Sequence, residues 1–254
     1  MQIDLTGKRA LVTGAGHGIG RAVAVALAKA GADVVVHYAN SAEGAAQTVA
    51  DIEAVGRRAV AIQADATRED EVEKLVSEGL AFLGGDLDVL VNNAGHLVER
   101  RPIADMDTAL WHGIIDVNVL STFLVSRAAI PSLKRTGGRI VNMGSLAGHN
   151  GGGPGSVAYA TAKAAVHGFT RGLAKELAGD GVTVNALAPG FIGQTAFHDT
   201  FTPDAARTGI VAGIPLQREG TPDDVAGAVL YLVSPLGGYV TGQVLEVNGG
   251  LLMK

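Results

Sequence analysis

Short apolar runs alternate with longer segments of helical periodicity along the whole chain. The short runs are rich in Val, Leu and Ile and poor in charge, which is typical of parallel strands buried on both faces. They occupy residues 9–13, 33–37, 59–63, 89–91, 139–142, 182–185 and 244–247, and the helix-period segments occupy 19–30, 42–55, 69–82, 106–134, 157–178 and 222–233. This alternation predicts an α/β fold: one Rossmann-like, doubly wound parallel sheet of about seven strands with helices on both faces, spanning residues 1–254.

Two segments interrupt the alternation. Residues 144–156 contain five glycines and a proline after Gly144, which predicts a loop, and residues 190–215 show no clear strand and are rich in Thr, Asp and Gly. Both follow predicted strands, so both are expected at the carboxyl edge of the sheet, where open α/β sheets bind ligands. We expect 190–215 to form a lid over a substrate, and we expect His149, in the first segment, to be solvated.

Composition narrows the possible partners. The chain has 254 residues, a formal net charge of −5 and no cysteine. A net negative charge disfavours nucleic acid and anionic membranes, and the absence of cysteine excludes disulfides and thiolate chemistry. The histidines do not cluster at the spacing of metal ligands, and no apolar run predicts a signal peptide or a membrane span. We therefore expect a soluble cytoplasmic protein with no metal site.

A glycine-rich turn joins the first strand to the first helix. A nucleotide diphosphate needs a tight turn, open backbone N–H groups and the positive end of a helix, and this turn offers all three. The turn is Gly14, Ala15, Gly16, His17, Gly18, Ile19 and Gly20. Its spacing is T-G-x-x-x-G-x-G, and the dinucleotide fingerprint G-x-G-x-x-G is not met because Ile19 stands at the last glycine. A turn that only packs helix against strand remains an alternative.

The end of the second strand bears on the choice of cofactor. Sites for NAD usually place a carboxylate there, on the ribose 2′-hydroxyl. Here Tyr38, Asn40 and Ser41 occupy that place, and the first carboxylate is Glu43. A 2′-phosphate would meet no repulsion, and Asn40, Ser41 and His17 are candidate donors to it, although no arginine is present to clamp it. The sequence therefore favours NADP over NAD.

Tyr159 and Lys163 lie four positions apart at the start of a predicted helix. Residues at this spacing share a helix face, so the phenol and the ammonium are expected on one side. A nearby ammonium would lower the pKa of the tyrosine towards the working pH, as a general acid/base requires. Ser145 follows the fifth strand at the expected ligand edge, where its hydroxyl would hold a substrate oxygen beside the phenol.

Taken in order, these motifs resemble the short-chain dehydrogenase/reductase family over nearly the whole chain. The motifs are residues 13–20, Asp65, Asn92-Asn93-Ala94-Gly95, Asn118, Ser145, Tyr159 with Lys163, Pro189-Gly190 and Asn248-Gly249-Gly250. The resemblance implies an enzyme that interconverts a secondary alcohol and a ketone by hydride transfer with NAD(P). It also implies a homotetramer.

The resemblance implies a catalytic role for four residues. Tyr159 would exchange a proton with the substrate oxygen, and Lys163 would bond the nicotinamide ribose and lower the pKa of the phenol. Ser145 would stabilise the developing charge on the carbonyl. Asn118 would hold a water that links Lys163 to solvent.

The resemblance also implies cofactor contacts outside the glycine turn. Asp65 and Ala66 would meet the adenine, and the turn containing Asn92, Ala94 and Gly95 would close against the cofactor and brace the central strands, the second role being an alternative to direct contact. Pro189, Gly190 and Ile192 would line the nicotinamide. The chain departs from the family in three places: the spacing from Ser145 to Tyr159 is one residue longer than expected, Gln194 stands where threonine is usual and is followed by Thr195, and Asn248 replaces a frequent Asp.

The substrate is the most open part of the prediction. Relatives of this general appearance act on 3-oxoacyl thioesters or on sugars, polyols and small hydroxy compounds. Because the segment after Pro189-Gly190 departs from the acyl-carrier reductases, we favour a sugar, polyol or small ketone, with a 3-oxoacyl-[acyl-carrier-protein] reductase as the alternative. A catalytically silent cofactor-binding regulator and a scaffold subunit are alternatives of other classes.

Overall fold

A computed structural model describes residues 3–195, 200–201 and 204–253. Its strands are β1 (Arg9–Val12), β2 (Asp33–Tyr38), β3 (Ala59–Gln63), β4 (Val89–Asn92), β5 (Arg139–Met143), β6 (Thr183–Pro189) and β7 (Val244–Val247). Its helices are α1 (Gly18–Lys29), α2 (Ala42–Ala54), α3 (Glu69–Leu83), α4 (Thr108–Ile115), α5 (Ser121–Thr136), α6 (Ala147–Asn150), α7 (Val157–Leu177), α8 (Asp204–Ala212) and α9 (Pro222–Val233).

The seven strands form one parallel sheet in the order β3-β2-β1-β4-β5-β6-β7. The predicted doubly wound α/β fold is therefore confirmed. Chain order reverses between β1 and β4, and at such a switch point the connections leave on opposite faces and open a crevice at the carboxyl ends. Strand β6 runs further than predicted because residues 186–189 continue to pair with β7.

Side chains alternate across the sheet and build a core on each face. Leu11, Leu90 and Ile140 point to the layer of α3, α5 and α7, whereas Val12 and Val91 point to the layer of α1 and α9. All five are at most 3% exposed. This double burial explains why the strands read as continuous apolar runs in the sequence.

The predicted helix 106–134 is interrupted. The structure has α4, then a π-helical segment over Asp116–Leu120, then α5. An extra residue in a helical turn changes no hydrophobic period strongly enough to be seen in the sequence, and such bulges occur often at functional sites. Taken as one element, Thr108–Thr136 is long and apolar enough to cross a membrane, yet in the fold it packs as a core helix against α3 and α7.

The two irregular segments differ in part from expectation. The segment 144–156 is not wholly a loop, because α6 forms within it. In the predicted lid, α8 is helical, and residues 196–199 and 202–203 lie outside the described part of the chain. Helix α9 begins as its sequence predicts, with Pro222 at the first position and a reciprocal capping box between Thr221 and Asp224.

Candidate active site

A cleft of about 870 Å³ opens at the carboxyl ends of β1, β2, β4, β5 and β6. Most of the residues predicted to bind cofactor or substrate line it. They are Gly14, Gly16, His17, Gly18, Ile19, Gly20, Tyr38, Asn40, Ser41, Asp65, Ala66, Ala94, Gly95, Ser145, Tyr159, Lys163, Pro189, Gly190 and Ile192. Two predicted site residues, Asn92 and Asn118, are buried and do not line the cleft.

The glycine turn is shaped by close packing against α1. A Cβ on Gly20 would lie 2.2 Å from the Gly14 carbonyl oxygen, so the first turn of α1 can approach the strand only with glycine there. Helix α1 begins after His17 without a side-chain cap and without an acidic residue in its first turn. Its first N–H groups therefore have no intrahelical partner and carry the positive end of the helix dipole at the cleft, which fits the diphosphate of a dinucleotide.

Carboxylates are scarce on the nucleotide side of the cleft. Asp65 is the single carboxylate among the described cleft-lining residues. Its Oδ1 accepts hydrogen bonds from the Thr67 backbone N–H at 2.9 Å and the Thr67 hydroxyl at 2.7 Å. The wall formed by Tyr38, Asn40 and Ser41 carries no negative charge, as the sequence predicts.

Ser145, Tyr159 and Lys163 converge at the other end of the cleft. Lys163 Nζ donates to the carbonyl oxygen of Met143, the last residue of β5, at 2.8 Å and lies 5.6 Å from the centre of the Tyr159 ring. The Tyr159 phenol and the Ser145 hydroxyl share a hydrogen bond. The predicted meeting of these three side chains is thus what the structure has, and the longer loop between Ser145 and Tyr159 is absorbed around α6.

Burial dominates the protonation of this group. It raises the pKa of Tyr159 to about 12, although the hydrogen bond with Ser145 opposes the rise. Burial also lowers the pKa of Lys163 to about 8. The expectation that the ammonium brings the pKa of the phenol down is therefore wrong for the protein alone, because withdrawal from water outweighs the neighbouring charge. The phenol holds its proton at neutral pH.

Asn118 belongs to the π-helical segment, and its side chain lies close to Lys163 beside Gly95. Its Nδ2 donates to the carbonyl oxygens of His96 at 2.7 Å and Ile114 at 2.8 Å. Its Oδ1 is buried and accepts no hydrogen bond from the described part of the chain. A Cβ on Gly95 would lie 2.6 Å from this oxygen and 2.9 Å from Lys163 Nζ. Gly95 therefore brings the chain against both functional groups at once.

Of the two roles predicted for Asn92, the structure supports the bracing of the central strands, and the side chain does not line the cleft. Its Nδ2 donates to Ser126 Oγ at 2.9 Å and to Asn142 Oδ1 at 2.8 Å. These bonds tie β4 to β5 and α5 inside the core. The adjacent Asn93 instead supports the glycine turn, since its Nδ2 donates to the carbonyl oxygens of Thr13 at 2.9 Å and Gly14 at 3.1 Å.

The segment after β6 closes the nicotinamide end of the cleft. A Cβ on Gly190 would lie 2.6 Å from the Asn248 Cβ, so the chain passes directly over the carboxyl-terminal motif. Gln194 points to solvent with a φ of 57°, whereas Thr195 is buried, lines the cleft and donates from Oγ1 to the Ile192 carbonyl at 3.0 Å. The structure thus puts Thr195, not Gln194, at the cleft.

His149 is not solvated as expected. Its side chain is 7% exposed, its Nε2 lies 2.9 Å from Glu246 Oε1, and its ring packs on His167 with centroids 4.4 Å apart. Glu246 belongs to β7, so α6 is anchored to an element far away in the sequence. Sequence patterns around the loop give no sign of such a long-range partner.

Comparison with known proteins identifies the family. A family model described as enoyl-(acyl carrier protein) reductase matches residues 14–252. A 3-oxoacyl-[acyl-carrier-protein] reductase of Synechocystis sp. is 44% identical over 251 residues, or 98% of each chain. The chain belongs to the short-chain dehydrogenase/reductase family.

Solved structures share this fold over nearly the whole chain. A 7α-hydroxysteroid dehydrogenase complexed with NADH and 7-oxo glycochenodeoxycholic acid has a TM-score of 0.92 at 37% identity, over 98% of this chain and 96% of that one. A blue fluorescent protein from a metagenomic library, in complex with NADPH, has a TM-score of 0.91 at 38% identity, over 98% and 100%. This short-chain dehydrogenase/reductase is an NAD(P)-dependent oxidoreductase.

Gly95→Ala tests the crowding behind the active site. The new Cβ would push the Asn118 amide and the Lys163 ammonium from their positions, and small displacements of functional groups cost about 100-fold in rate. We expect kcat of this short-chain dehydrogenase/reductase to fall by about that factor while the fold survives. Gly227→Ala is the control, because a Cβ there meets nothing within 4 Å. Equal kcat in the two variants would contradict the prediction.

Lys163→Met tests the cost of the buried charge. The pKa of Lys163 falls from 10.5 to about 8 on folding, so the unfolded chain binds more protons between these two pH values. Stability of the wild type therefore rises with pH across that window, and below it the ammonium costs about 3 kcal/mol. We expect the variant to be inactive yet more stable than the wild type at pH 7. The gain should be roughly 1–3 kcal/mol, less than the full cost of the charge, because the Met143 carbonyl loses its donor.

The measurement is urea unfolding at pH 7 and pH 10. The advantage of Lys163→Met should shrink at pH 10, and Lys175→Met, on the exposed face of α7, should change stability little at either pH. A Lys163→Met variant less stable than the wild type at pH 7 would show that the buried ammonium does not lower the free energy of unfolding.

Proposed function

We propose that this chain is an NADPH-dependent reductase that converts the ketone of a 3-oxoacyl thioester to a secondary alcohol, with Tyr159 as the proton donor. The observation that carries the proposal is the buried, protonated phenol of Tyr159, hydrogen-bonded to Ser145 and next to Lys163 at the end of a nucleotide-sized cleft. With its pKa raised to about 12, the phenol carries its proton at neutral pH, which is the state that a proton donor to a ketone must start from.

A reduced nicotinamide, when held in the cleft, would supply the hydride for the carbonyl carbon. Ser145 and Tyr159 donate hydrogen bonds to the carbonyl oxygen and stabilise the charge that develops on it. Tyr159 then transfers its proton to that oxygen, so that one hydride and one proton give the alcohol. Lys163 would hold the ribose next to the reacting groups. Asn118 Oδ1, which has no hydrogen-bond partner among the described residues, would receive a water that brings protons from solvent to Lys163.

The lining of the cleft supports NADPH over NADH. The wall of Tyr38, Asn40 and Ser41 carries no carboxylate, so a 2′-phosphate meets no repulsion there. A relative with NADPH bound shares the fold throughout, although another binds NADH.

Ile210 of α8 lines the cleft, which supports the role of 190–215 as a lid.

The relatives favour a 3-oxoacyl substrate over the sugar or polyol that the sequence led us to favour. The relative from Synechocystis sp. is named a 3-oxoacyl-[acyl-carrier-protein] reductase, and the match covers 98% of its length. The cleft mouth adds support. Arg100 lines the cleft and donates from Nη1 to the Pro154 carbonyl at 3.1 Å, and among the described residues no carboxylate pairs with it. Its neighbour Arg101 is paired with Glu99, so Arg100 is the cation left to meet an acidic carrier.

Other classes of function have less support. A catalytically silent regulator would not need Ser145, Tyr159 and Lys163 to meet at the cleft, yet they do. A scaffold role is not needed either, because we propose that the exposed apolar side chains on α5 and near β7 belong to a homotetramer interface. Examples are Phe123, which is 40% exposed, and Tyr239, which is fully exposed.

Tyr159→Phe tests the proton donor. The variant keeps the ring and loses only the hydroxyl, so cofactor should bind with unchanged affinity while ketone reduction falls by at least 100-fold. Ser145→Ala should lower kcat by a similar order, with a smaller change in KM. Turnover by Tyr159→Phe within a few-fold of the wild type would remove the phenol from the mechanism.

A substrate panel tests the reaction. We expect reduction of 3-oxobutanoyl thioesters, on acyl carrier protein or coenzyme A, with NADPH, and a kcat/KM at least tenfold lower with NADH. Sugars and polyols with the oxidised cofactors should give little turnover. Preference for a polyol, or for NADH, would overturn the corresponding part of the proposal. A carrier-bound thioester preferred over the coenzyme A thioester would point to the acidic carrier itself as the ligand of Arg100.

A further inference from the structure

A buried histidine holds the glycine turn from below. His37, the penultimate residue of β2, is 1% exposed, and its ring borders the cleft. Its backbone carbonyl accepts from the Ala15 N–H at 2.9 Å. The sequence drew no attention to it, because a single polar residue in a run of valines does not alter the strand pattern.

Both ring nitrogens of His37 are engaged, and the partners dictate the tautomer. The Gly14 N–H lies 3.1 Å from Nδ1, so Nδ1 must accept and cannot carry a proton. Nε2 lies 2.9 Å from the Ala64 carbonyl oxygen, so Nε2 must donate. The neutral imidazole with its proton on Nε2 satisfies both bonds, whereas the protonated ring cannot accept from Gly14.

The bond to Gly14 lies at the most constrained point of the turn. Gly14 has a φ of 63°, and its carbonyl oxygen accepts from Asn93 Nδ2 at 3.1 Å. Gly14 is thus held through its carbonyl by Asn93, which follows β4, and through its N–H by His37 of β2. Its orientation sets the path of the chain into α1, whose first N–H groups face the cleft.

Few charges act on the ring. Burial lowers the pKa of His37, and the carboxylate of Asp65, which follows β3, acts in the opposite direction. Strand β3 itself carries no charged residue, and Arg9 lies at the far end of β1. His17 lies in the glycine turn and lines the same cleft, so it must be controlled for in any test of pH.

We propose that His37 is a positioning residue for the dinucleotide: its neutral imidazole fixes the Gly14 peptide, and protonation of the ring releases the turn and weakens cofactor binding. The proposal rests on the cofactor site described above and adds to it a pH dependence of affinity that is separate from catalysis. Acid would loosen the nucleotide end of the cleft without a change at Tyr159 or Lys163.

Two variants separate the two arms of the ring. In His37→Asn, the amide oxygen can take the place of Nδ1 and accept from Gly14, and this variant does not titrate. In His37→Gln, the longer side chain reaches towards Ala64 and leaves the Gly14 N–H without its acceptor. A net hydrogen bond of ordinary strength corresponds to a change of about tenfold in affinity.

The measurement is calorimetric titration of the protein with NADP⁺ between pH 5 and 7.5, without turnover. At pH 7.5, His37→Asn should bind within about threefold of the wild type, and His37→Gln about tenfold more weakly. Towards the acid end of this range the wild type should lose up to about tenfold more affinity than His37→Asn. The 2′-phosphate also titrates in this range, and His17 lines the cleft in both proteins, so only the difference between the wild type and His37→Asn is used.

A second measurement needs no cofactor. Because the pKa of His37 is lowered in the folded protein, the unfolded chain binds the extra proton first, and wild-type stability falls as pH drops below the ordinary pKa of histidine. The Tm of the wild type should therefore fall more steeply with acid than that of His37→Asn. If His37→Gln does not fold, the pH dependence of NADP⁺ affinity in the wild type and in His37→Asn still decides the proposal.

The outcomes are distinct. The proposal is supported if His37→Gln binds NADP⁺ more weakly than the wild type at pH 7.5 and His37→Asn does not. His37→Asn should also lack the additional loss of affinity that the wild type shows in acid. Identical pH dependence in the wild type and His37→Asn, or equal affinity in the Asn and Gln variants, would overturn it. A wild type that binds neither NADP⁺ nor NAD⁺ would instead refute the cofactor proposal as a whole.

Discussion

The buried ammonium of Lys163 is the constraint around which the active site is built. Its bond to the Met143 carbonyl ties α7 to the end of β5, so the helix that carries Tyr159 is fixed relative to the strand that leads to Ser145. A charge in this position needs space and polar neighbours. Gly95 provides the space, and the carbonyl of Met143 and the amide oxygen of Asn118 provide the polarity. The geometry is therefore one connected arrangement, and no member can change size freely.

A similar economy of space governs the nucleotide end. Gly20 must lack a side chain for α1 to close on Gly14, and Asn93 and His37 then hold the Gly14 peptide from opposite sides. The glycine spacing and the segment that contains Asn93 are visible as motifs, but the contact between them is not, and His37 belongs to no motif. The side chains that hold the turn come from β2 and from the end of β4, the two strands that flank β1, and this explains why a glycine-rich sequence by itself specifies the turn poorly.

The sequence predicted the sheet well because burial on both faces leaves a strong local signal, as in β1 and β5. It predicted the convergence of Ser145, Tyr159 and Lys163 because helical spacing and strand ends are also local. It failed where the outcome depends on distant contacts. Asn92 was expected to brace the sheet but its partner Asn142 was not identified, and His149 was expected in solvent but lies next to Glu246. Neither partner is near in sequence, so no pattern could indicate it.

The protonation of Tyr159 shows the same limit in chemical form. Spacing correctly brings Lys163 to the same face, but the effect of a neighbouring charge depends on how much water both groups keep. Both are buried, so the pKa of the phenol rises while that of the ammonium falls. The protein alone thus holds an acid ready for a carbonyl oxygen. Donation would leave a phenolate in the same dry site, which is costly unless a proton returns quickly. Asn118 Oδ1 has no hydrogen-bond partner among the described residues and lies close to Lys163, which is where the proposed water relay would return that proton.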